Sequence, residues 1–243
     1  MVDYSARAIR QRLESLSAAG VTDLPRARRQ SVARMPPAAV REAAPKPAGS
    51  AAVAAGSRDV ALDAIRQEVA VCRRCESLAC ARQNTVFGAG AATARICFVG
   101  EAPGADEDAS GLPFVGPAGQ LLTKIIEACT LTREEVYIVN VLKCRPPDNR
   151  QPLPDEIANC REYFERQLQV IAPEFICCLG TTAAQALLQT TEPIGKLRGR
   201  WFTHGTAQVL CTYHPSYLLR TPGAKRHVWD DMKLLMARMG VEL

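Results

Sequence analysis

Residues 95–108 read RICFVGEAPGADED and join a short apolar run to a loop rich in Gly, Pro and acidic residues. Three further runs have the length and apolar character of a strand: 136–141 (VYIVNV), 174–179 (EFICCL) and 207–213 (AQVLCTY). Helical periodicity fills the intervals, at about 60–71, 116–129, 155–171, 181–188 and 225–239. Apolar strands that alternate with helices predict an α/β fold with a central four-stranded parallel sheet flanked by helices.

The segments that follow these strands mark the candidate site. They contain most of the unusual polar, Gly and Pro residues of the chain, and they begin near Gly100, Asn140, Gly180 and His214. Ligands of parallel sheets bind beyond the carboxyl ends of the strands. The sequence therefore predicts an active site at this one edge of the sheet.

The charge of the chain is concentrated in its first quarter. The 243 residues include 30 Lys and Arg and 25 Asp and Glu, a formal net charge of +5. Residues 1–58 hold ten basic and four acidic side chains, whereas 59–243 hold 20 and 21. Residues 25–57 are built from Ala, Pro, Gly, Ser and Arg, a composition that cannot bury enough apolar surface to fold. We therefore expect a basic extension over 1–58 and one ordered domain over 59–243.

Three interpretations of the extension stay open. Ile9, Leu13 and Leu16 recur at helical spacing and predict a short helix over about 4–19, followed by the linker. This helix could dock on a partner, or the basic residues could contact nucleic-acid phosphates. The segment could equally be a solvated leader. An organelle transit peptide is less favoured because acidic residues are unusual in one.

Composition excludes two classes of protein. No apolar run approaches the roughly 20 residues that span a bilayer, and the start of the chain has no apolar signal core. Ten cysteines without a signal sequence indicate a reducing compartment, so we expect a cytoplasmic protein with no membrane association. No heptads are present, and we expect a monomer.

Four cysteines are candidate metal ligands. Cys72 and Cys75 form a CxxC pair, which can chelate one metal from a single turn. Cys144 lies in a polar loop and Cys160 on a polar helix start, whereas most other cysteines lie in apolar runs, where a free thiol is usually a small buried hydrophobe. Four thiolates suit a structural zinc or a 4Fe–4S cluster, and spacing does not distinguish the two.

Three motifs then carry a family resemblance. EAPGADEDASGLPFVGPAGQ (101–120), Asn140 with LKCRPPDNRQPLP (142–154), and YHPSYLLR (213–220) resemble the iron–sulfur uracil-DNA glycosylases, the thermostable-type family four. The resemblance runs from about residue 59 to the C-terminus. It implies a uracil-DNA glycosylase-like fold and favours one 4Fe–4S cluster over zinc. The implied ligands are Cys72, Cys75, Cys144 and Cys160.

The resemblance also implies an activity. Such a protein flips uracil out of single- or double-stranded DNA and hydrolyses its N-glycosidic bond without a divalent metal, which leaves an abasic site. This is the first step of base excision repair, and it would place the enzyme near the nucleoid. A non-catalytic iron–sulfur module that binds DNA beside the replication machinery is the alternative. A relative that bonds covalently to the sugar through a loop histidine is disfavoured, since 141–160 contain no His.

The matching residues take roles from the family. His214 is expected to stabilise the departing base, and Glu101 to position water or balance the cationic sugar. Substrate contacts are expected from Phe114 by stacking, Asn140 by base recognition, Glu107 by crowding the C5 face, and Asn149 by contact with water or phosphate. Ala102 occupies the position where other glycosylase families carry Asp, so the group that activates water is not identified.

DNA contact is expected from the last motif and from local basic residues. Leu218 and Leu219 would fill the gap left by the flipped base, and Arg220 would contact phosphate. Because the domain over 59–243 carries a net charge of −1, its affinity for DNA must depend on where individual cations lie. The expected contributors are Arg145, Arg150, Arg220, Lys225 and Arg226.

Overall fold

The computed structural model describes residues 55–243, so the predicted helix at 4–19 and the linker lie outside the described residues. The helices are α1 (Ala55–Ala70), α2 (Glu76–Ala81), α3 (Ala105–Ser110), α4 (Pro117–Ala128), α5 (Pro154–Ile171), α6 (Thr181–Leu188), α7 (Ile194–Leu197), α8 (Pro215–Arg220) and α9 (Lys225–Met239). Single 3-10 turns occur at Pro147–Asn149 and Pro222–Ala224. The strands are β1 (Ala89–Gly90), β2 (Ile96–Gly100), β3 (Tyr137–Asn140), β4 (Phe175–Leu179), β5 (Trp201–His204) and β6 (Ala207–Thr212).

The α/β prediction is confirmed, and the sheet is larger than predicted. Its order is β1-β3-β2-β4-β6-β5. The four predicted strands form its parallel centre, in the order β3-β2-β4-β6, and antiparallel strands β1 and β5 add one edge each. Parallel pairing places Gly100 beside Asn140 and brings the carboxyl ends of β2, β3, β4 and β6 to one edge.

Helices cover both faces of the sheet. On one face, α1, α5, α6 and α7 pack against strand residues such as Cys97, Val99 and Val139. On the other, α4, α8 and α9 pack against Phe98, Ile138 and their neighbours. Each fully buried aliphatic side chain contributes about 1.5–3 kcal/mol. Two apolar layers therefore fix the sheet that carries the site.

The strand cysteines are buried packing residues, as the sequence indicates. Cys97, Cys177, Cys178 and Cys211 are fully buried in the sheet, and Cys129 ends α4. Burial raises the pKa of Cys97 to about 12 and that of Cys129 to about 11. The thiols of Cys97 and Cys129 therefore stay protonated at neutral pH, which leaves them unreactive as nucleophiles.

The ordered part begins before residue 59. Arg58 lies within α1, and its Nη1 donates a hydrogen bond to the carbonyl of Ile171 at 2.9 Å. This contact ties the first helix to the end of α5, so Arg58 packs with the domain although we placed it in the extension. Among the described helices, none is long and apolar enough to cross a membrane.

Candidate functional site

The carboxyl ends of the four parallel strands open into one cavity of about 530 Å³. Segments that are far apart in sequence meet there: the loop after β2, the end of β3, the 3-10 turn at 147–149, the start of α6 and the start of α8. The predicted site residues that line this cavity are Glu101, Ala102, Glu107, Phe114, Asn140, Asn149, His214 and Arg220.

Asn140 is the last residue of β3, and its side chain is buried at 2% exposure. The side-chain oxygen, Oδ1, has no hydrogen-bond partner in the described part of the chain. A buried acceptor left unsatisfied costs about 1–3 kcal/mol. Since this atom belongs to a cavity-lining residue, the fold keeps an acceptor available for a ligand that donates a hydrogen bond.

Gly100 makes room for two of these side chains. A methyl group at this position would overlap Asn140 Oδ1 and lie 2.5 Å from Phe114 Cζ. The residue ends β2 directly beside Asn140, so the pairing register brings the amide and the aromatic ring together over a position that has no side chain. Glycine is therefore a geometric requirement of the cavity here.

Phe114 lies in the loop between α3 and α4, with φ of 54°, a left-handed conformation that is unusual for an aromatic residue. Its ring centroid lies 5.6 Å from that of His214, and the two planes are tilted by 33°. Its carbonyl packs on Gly119 so closely that a methyl group there would overlap it. The ring is thus held against the cavity by backbone packing.

His214 presents one defined ring nitrogen to the cavity. Its Nδ1 accepts a hydrogen bond from the main-chain N–H of Ser216 at 3.1 Å and lies 2.8 Å from the Ser216 hydroxyl. Because a neutral ring carries one proton, this network assigns that proton to Nε2. Burial, reinforced by the Arg220 charge, lowers the pKa of His214 to about 4. At neutral pH the ring is an uncharged donor through Nε2.

Two glutamates of the loop after β2 differ in their surroundings. The Glu107 carboxylate accepts from the main-chain N–H groups of Gly104 (3.0 Å), Val115 (2.9 Å) and Gly116 (2.9 Å), and so clamps the loop that carries Phe114. The Glu101 carboxylate has no side-chain hydrogen bond within residues 55–243, and Glu101 lines the cavity. Ala102 lines the same wall and offers no ionisable group.

The 3-10 turn at 147–149 holds Asn149 at the cavity rim, with φ of 53°. Arg145 Nε donates to Asn149 Oδ1 at 2.8 Å, which leaves the amide NH2 to donate to another group. Arg150 binds Glu156 through both terminal nitrogens, at 2.9 and 2.6 Å. Arg150 also lines the cavity, and its contact with phosphate stays a prediction.

Of the two leucines expected to fill the gap left by the flipped base, only Leu219 is exposed. Leu218 is 1% exposed and packs in the core under α4 and α9, so its assignment as a DNA contact is wrong for this conformation. Helical spacing causes this, because Pro215 and Leu218, three residues apart, share the buried face of α8. Leu219 is 47% exposed, and Tyr217 and Arg220 are also exposed.

The four candidate ligand cysteines converge on a second, small cavity. Cys72, Cys75, Cys144 and Cys160 line it together with apolar and basic side chains. Arg82 Nη1 donates to Cys144 Sγ at 3.0 Å, and Asn159 Nδ2 lies 3.5 Å from Cys75 Sγ. Across residues 55–243, no group of three or more His, Cys, Asp or Glu side chains is arranged to hold a single metal ion.

Lys143 connects the two cavities, and sequence reasoning missed it. It is 1% exposed, and its Nζ donates to the main-chain oxygen of Asn140 at 2.7 Å. Burial lowers its pKa to about 8, an effect that the thiols of Cys160, Cys97 and Cys144 oppose. Its position beside Cys144 and three residues after Asn140 was the available signal. Asp108 is also buried, and its carboxylate accepts from the main-chain N–H groups of Gln83 and Asn84.

Comparison with known proteins agrees with this geometry. The model of the uracil DNA glycosylase superfamily matches residues 87–233, which include all six strands and every residue that lines the strand-end cavity. The type-4 uracil-DNA glycosylase of Archaeoglobus fulgidus is 43% identical over 182 residues, 71% of this chain and 90% of that protein.

The chain belongs to the uracil DNA glycosylase superfamily.

Two further relatives place it beside the type-4 uracil-DNA glycosylases. Those of Saccharolobus solfataricus and Thermotoga maritima are 42% and 43% identical, and the matches cover 83% and 94% of their lengths. The matches to these relatives cover 71% and 73% of this chain.

Proposed function

We propose that this protein removes uracil from single- and double-stranded DNA by hydrolysing the N-glycosidic bond, without a divalent metal in the chemistry. The observation that carries the proposal is the buried, unpartnered Oδ1 of Asn140 in the strand-end cavity. Its amide offers an acceptor for uracil N3–H and a donor for uracil O4. Cytosine presents the opposite groups at both positions, and each mismatch costs about 1–3 kcal/mol.

The neighbouring residues supply the remaining steps. The flipped base must leave the stack, and the Phe114 ring offers a surface on which any base can stack, worth roughly 1–3 kcal/mol. Glu107 and its clamped loop form the wall expected to crowd the thymine methyl. Stacking thus contributes affinity, and the amide and the wall contribute selectivity.

Bond cleavage places negative charge on the departing uracil. The C1′–N1 bond breaks, its electron pair stays on the base, and charge develops on uracil O2. The Nε2–H of His214 is the donor available for that oxygen, and it needs no proton transfer. Glu101 balances the cationic sugar electrostatically or orients the water that adds to C1′, and Asn149 donates to that water or to a phosphate. The added water keeps one proton as the sugar hydroxyl and releases the other, which balances the protonation of the uracil anion.

The activity is tested with a uracil-containing oligonucleotide and alkali cleavage of the product. Asn140→Ala should slow excision by about 10- to 100-fold or more, because at least one buried group of the base loses its partner. Gln169→Ala, which removes an exposed amide outside the cavity, is the matched control and should behave as wild type. DNA binding without alkali-labile product, in protein with its full complement of metal, would favour the non-catalytic module instead.

We further propose that Cys72, Cys75, Cys144 and Cys160 hold one 4Fe–4S cluster, which supplies structural cross-linking and takes no part in hydrolysis. Two features support the fit. The four thiols line one cavity, so the fold brings the CxxC pair close to Cys144 and Cys160 although these segments are far apart in sequence. Arg82 and Lys143 also place positive charge beside a set of thiolates.

Cys75→Ser and Cys80→Ser form a matched pair for this site, since Cys80 is exposed on α2 nearby. Protein purified without oxygen should contain iron and sulfide and show visible absorption that dithionite bleaches. Cys75→Ser should lose both signals, and Cys80→Ser should keep them. Stoichiometric zinc in the wild-type protein, with no iron, would replace the cluster assignment by the zinc alternative.

A monomer that works in the cytoplasm, close to the nucleoid, stays our prediction. Light scattering of the purified protein with and without DNA measures its oligomeric state. A mass of about twice the 26.4 kDa of the chain would contradict it. Imaging of the tagged protein in its own cells measures its location.

A further inference from the structure

Arg133 binds two consecutive main-chain carbonyls, those of Pro113 and Phe114. Its Nη1 donates to the carbonyl of Phe114 at 3.1 Å, and its Nη2 donates to that of Pro113 at 2.8 Å. Nη1 also donates to the Thr123 hydroxyl at 3.0 Å, and that hydroxyl donates to the carbonyl of Gly119. Arg133 lies between α4 and β3, outside every motif that the sequence singles out, yet it reaches the loop of the cavity.

Phe114 needs such support. Its φ of 54° is a conformation that an aromatic residue adopts at a cost in free energy, and such strain persists only where neighbours impose it. Its carbonyl is pressed on Gly119, where a methyl group would overlap it, so main-chain packing alone fixes only one side. The guanidinium supplies the donors for the two carbonyls that the turn exposes.

The loop is held by opposite charges on its two sides. Glu107 accepts from the N–H groups of Val115 and Gly116, and Arg133 donates to the carbonyls of the two preceding residues. Phe114 lies between the two clamps. Within residues 55–243, Arg133 forms no ion pair with a carboxylate, so its charge is directed at these carbonyls. A planar fork with several donors suits two adjacent acceptors better than a single ammonium.

We propose that Arg133 is a positioning residue for base recognition: it holds the Phe114 ring in the orientation in which a flipped base stacks on it. The inference rests on the proposed function, because it needs a base in the cavity. It predicts that Arg133 and Phe114 act as one unit. Arg133 itself contributes through the loop and is not expected to touch substrate.

The test is a double-mutant cycle on the full chain with its metal site filled, using Arg133→Met, Phe114→Ala and the combination. The measurement is the Kd for DNA that contains 2′-fluorinated deoxyuridine, which resists cleavage, and for DNA that contains a tetrahydrofuran abasic analogue. For the uracil analogue, Phe114→Ala should weaken binding by about 5- to 100-fold, as loss of one stacked base predicts. Arg133→Met should weaken it by at least about 5-fold, and the double variant by no more than the larger single loss.

For the abasic analogue there is no base to stack, so all three variants should bind within about twofold of wild type. Thr123→Val is the matched control, since it removes the third acceptor of Arg133 and leaves both carbonyl contacts in place. Arg133→Lys keeps the charge and loses the fork, and it should show an intermediate Kd. Arg133→Lys also replaces Arg133→Met in the double-mutant cycle if the Met variant fails to fold.

Losses that multiply in the double variant, wild-type binding by both Arg133 variants, or equal losses for the two DNAs would each overturn the inference. Failure of the proposed function has a different signature. In that case the wild-type protein would release no uracil from normal substrate and would not prefer the uracil analogue over the same DNA with cytosine.

Discussion

At the scale of single residues, Gly100 makes a steric prediction. Gly100→Ala adds a methyl group that overlaps Asn140 Oδ1 and crowds the Phe114 ring, so both must move. We expect excision to slow by about 100-fold or more, since displacements near 1 Å can cost that much. Gly195→Ala is the matched control, because a methyl group on α7 meets no atom within 4 Å and should leave activity and Tm unchanged or slightly raised. Normal kinetics for Gly100→Ala would show that the cavity tolerates a different arrangement.

His214 makes a prediction about pH at the same scale. Its pKa is about 4 in the folded protein against 6.5 ordinarily, because burial and the Arg220 charge disfavour the cation more than the Glu107 charge favours it. Between those values the unfolded chain binds the extra proton and the folded chain does not, so this residue's contribution to stability falls as pH falls from about 6.5 to about 4. Urea unfolding of wild type and His214→Gln across this window should show a smaller loss in the variant. Parallel curves would contradict the shifted pKa.

At the scale of elements, the join between β6 and α9 supports the strand end that leads to His214. The Thr212 hydroxyl donates to Asp231 Oδ2 at 2.6 Å in a buried position, and Arg198 binds the same carboxylate through two nitrogens. Thr212→Val should lower the free energy of unfolding by about 1–3 kcal/mol, because it leaves a buried carboxylate with one fewer donor. Thr203→Val, exposed on β5, is the control for chemical denaturation. Equal stability of the two variants would remove this role.

Sequence periodicity was sufficient for the elements that carry long apolar patterns. The four parallel strands and five longer helices lie within a few residues of their predicted positions, and the cavity lies at the predicted sheet edge. The two edge strands were not predicted, because β1 has only two residues and β5 is half-exposed, so neither has a recognisable apolar pattern. Leu218 was misjudged because a motif does not reveal which face of a short helix is buried. The main-chain contacts of Glu107 and Arg133 depend on tertiary approach and leave no local signal, and the one signal for Lys143 was its position beside Cys144 and three residues after Asn140.

At the scale of the whole molecule, two connections join the thiol site to the strand-end cavity. Lys143, next to Cys144, donates to the carbonyl of Asn140, and the segment after α2 donates main-chain N–H groups to Asp108 in α3. If the thiols hold the proposed cluster, its removal by chelation under reducing conditions should lower the denaturation midpoint and weaken the preference for uracil over cytosine DNA together. Both signals should return on reconstitution with iron and sulfide. A fall in stability with selectivity intact would show that the sites are energetically separate.

The distribution of charge makes the last prediction. Residues 1–50 carry nine basic and four acidic side chains, whereas the domain that holds the cavity is close to neutral, and its Arg150 is already paired with Glu156. Deleting 1–50, which leaves Arg58 and its contact with α5 in place, should keep the excision rate at saturating DNA within about twofold of wild type. The affinity for DNA should fall mainly at low salt, and each lost phosphate contact should make the slope of log Kd against log salt shallower by about 0.9 on duplex DNA. A full-length variant with Gln at the arginines of 1–50 separates charge from length and should reproduce the shallower slope. Loss of excision at saturating substrate would show that the chemistry itself requires the extension.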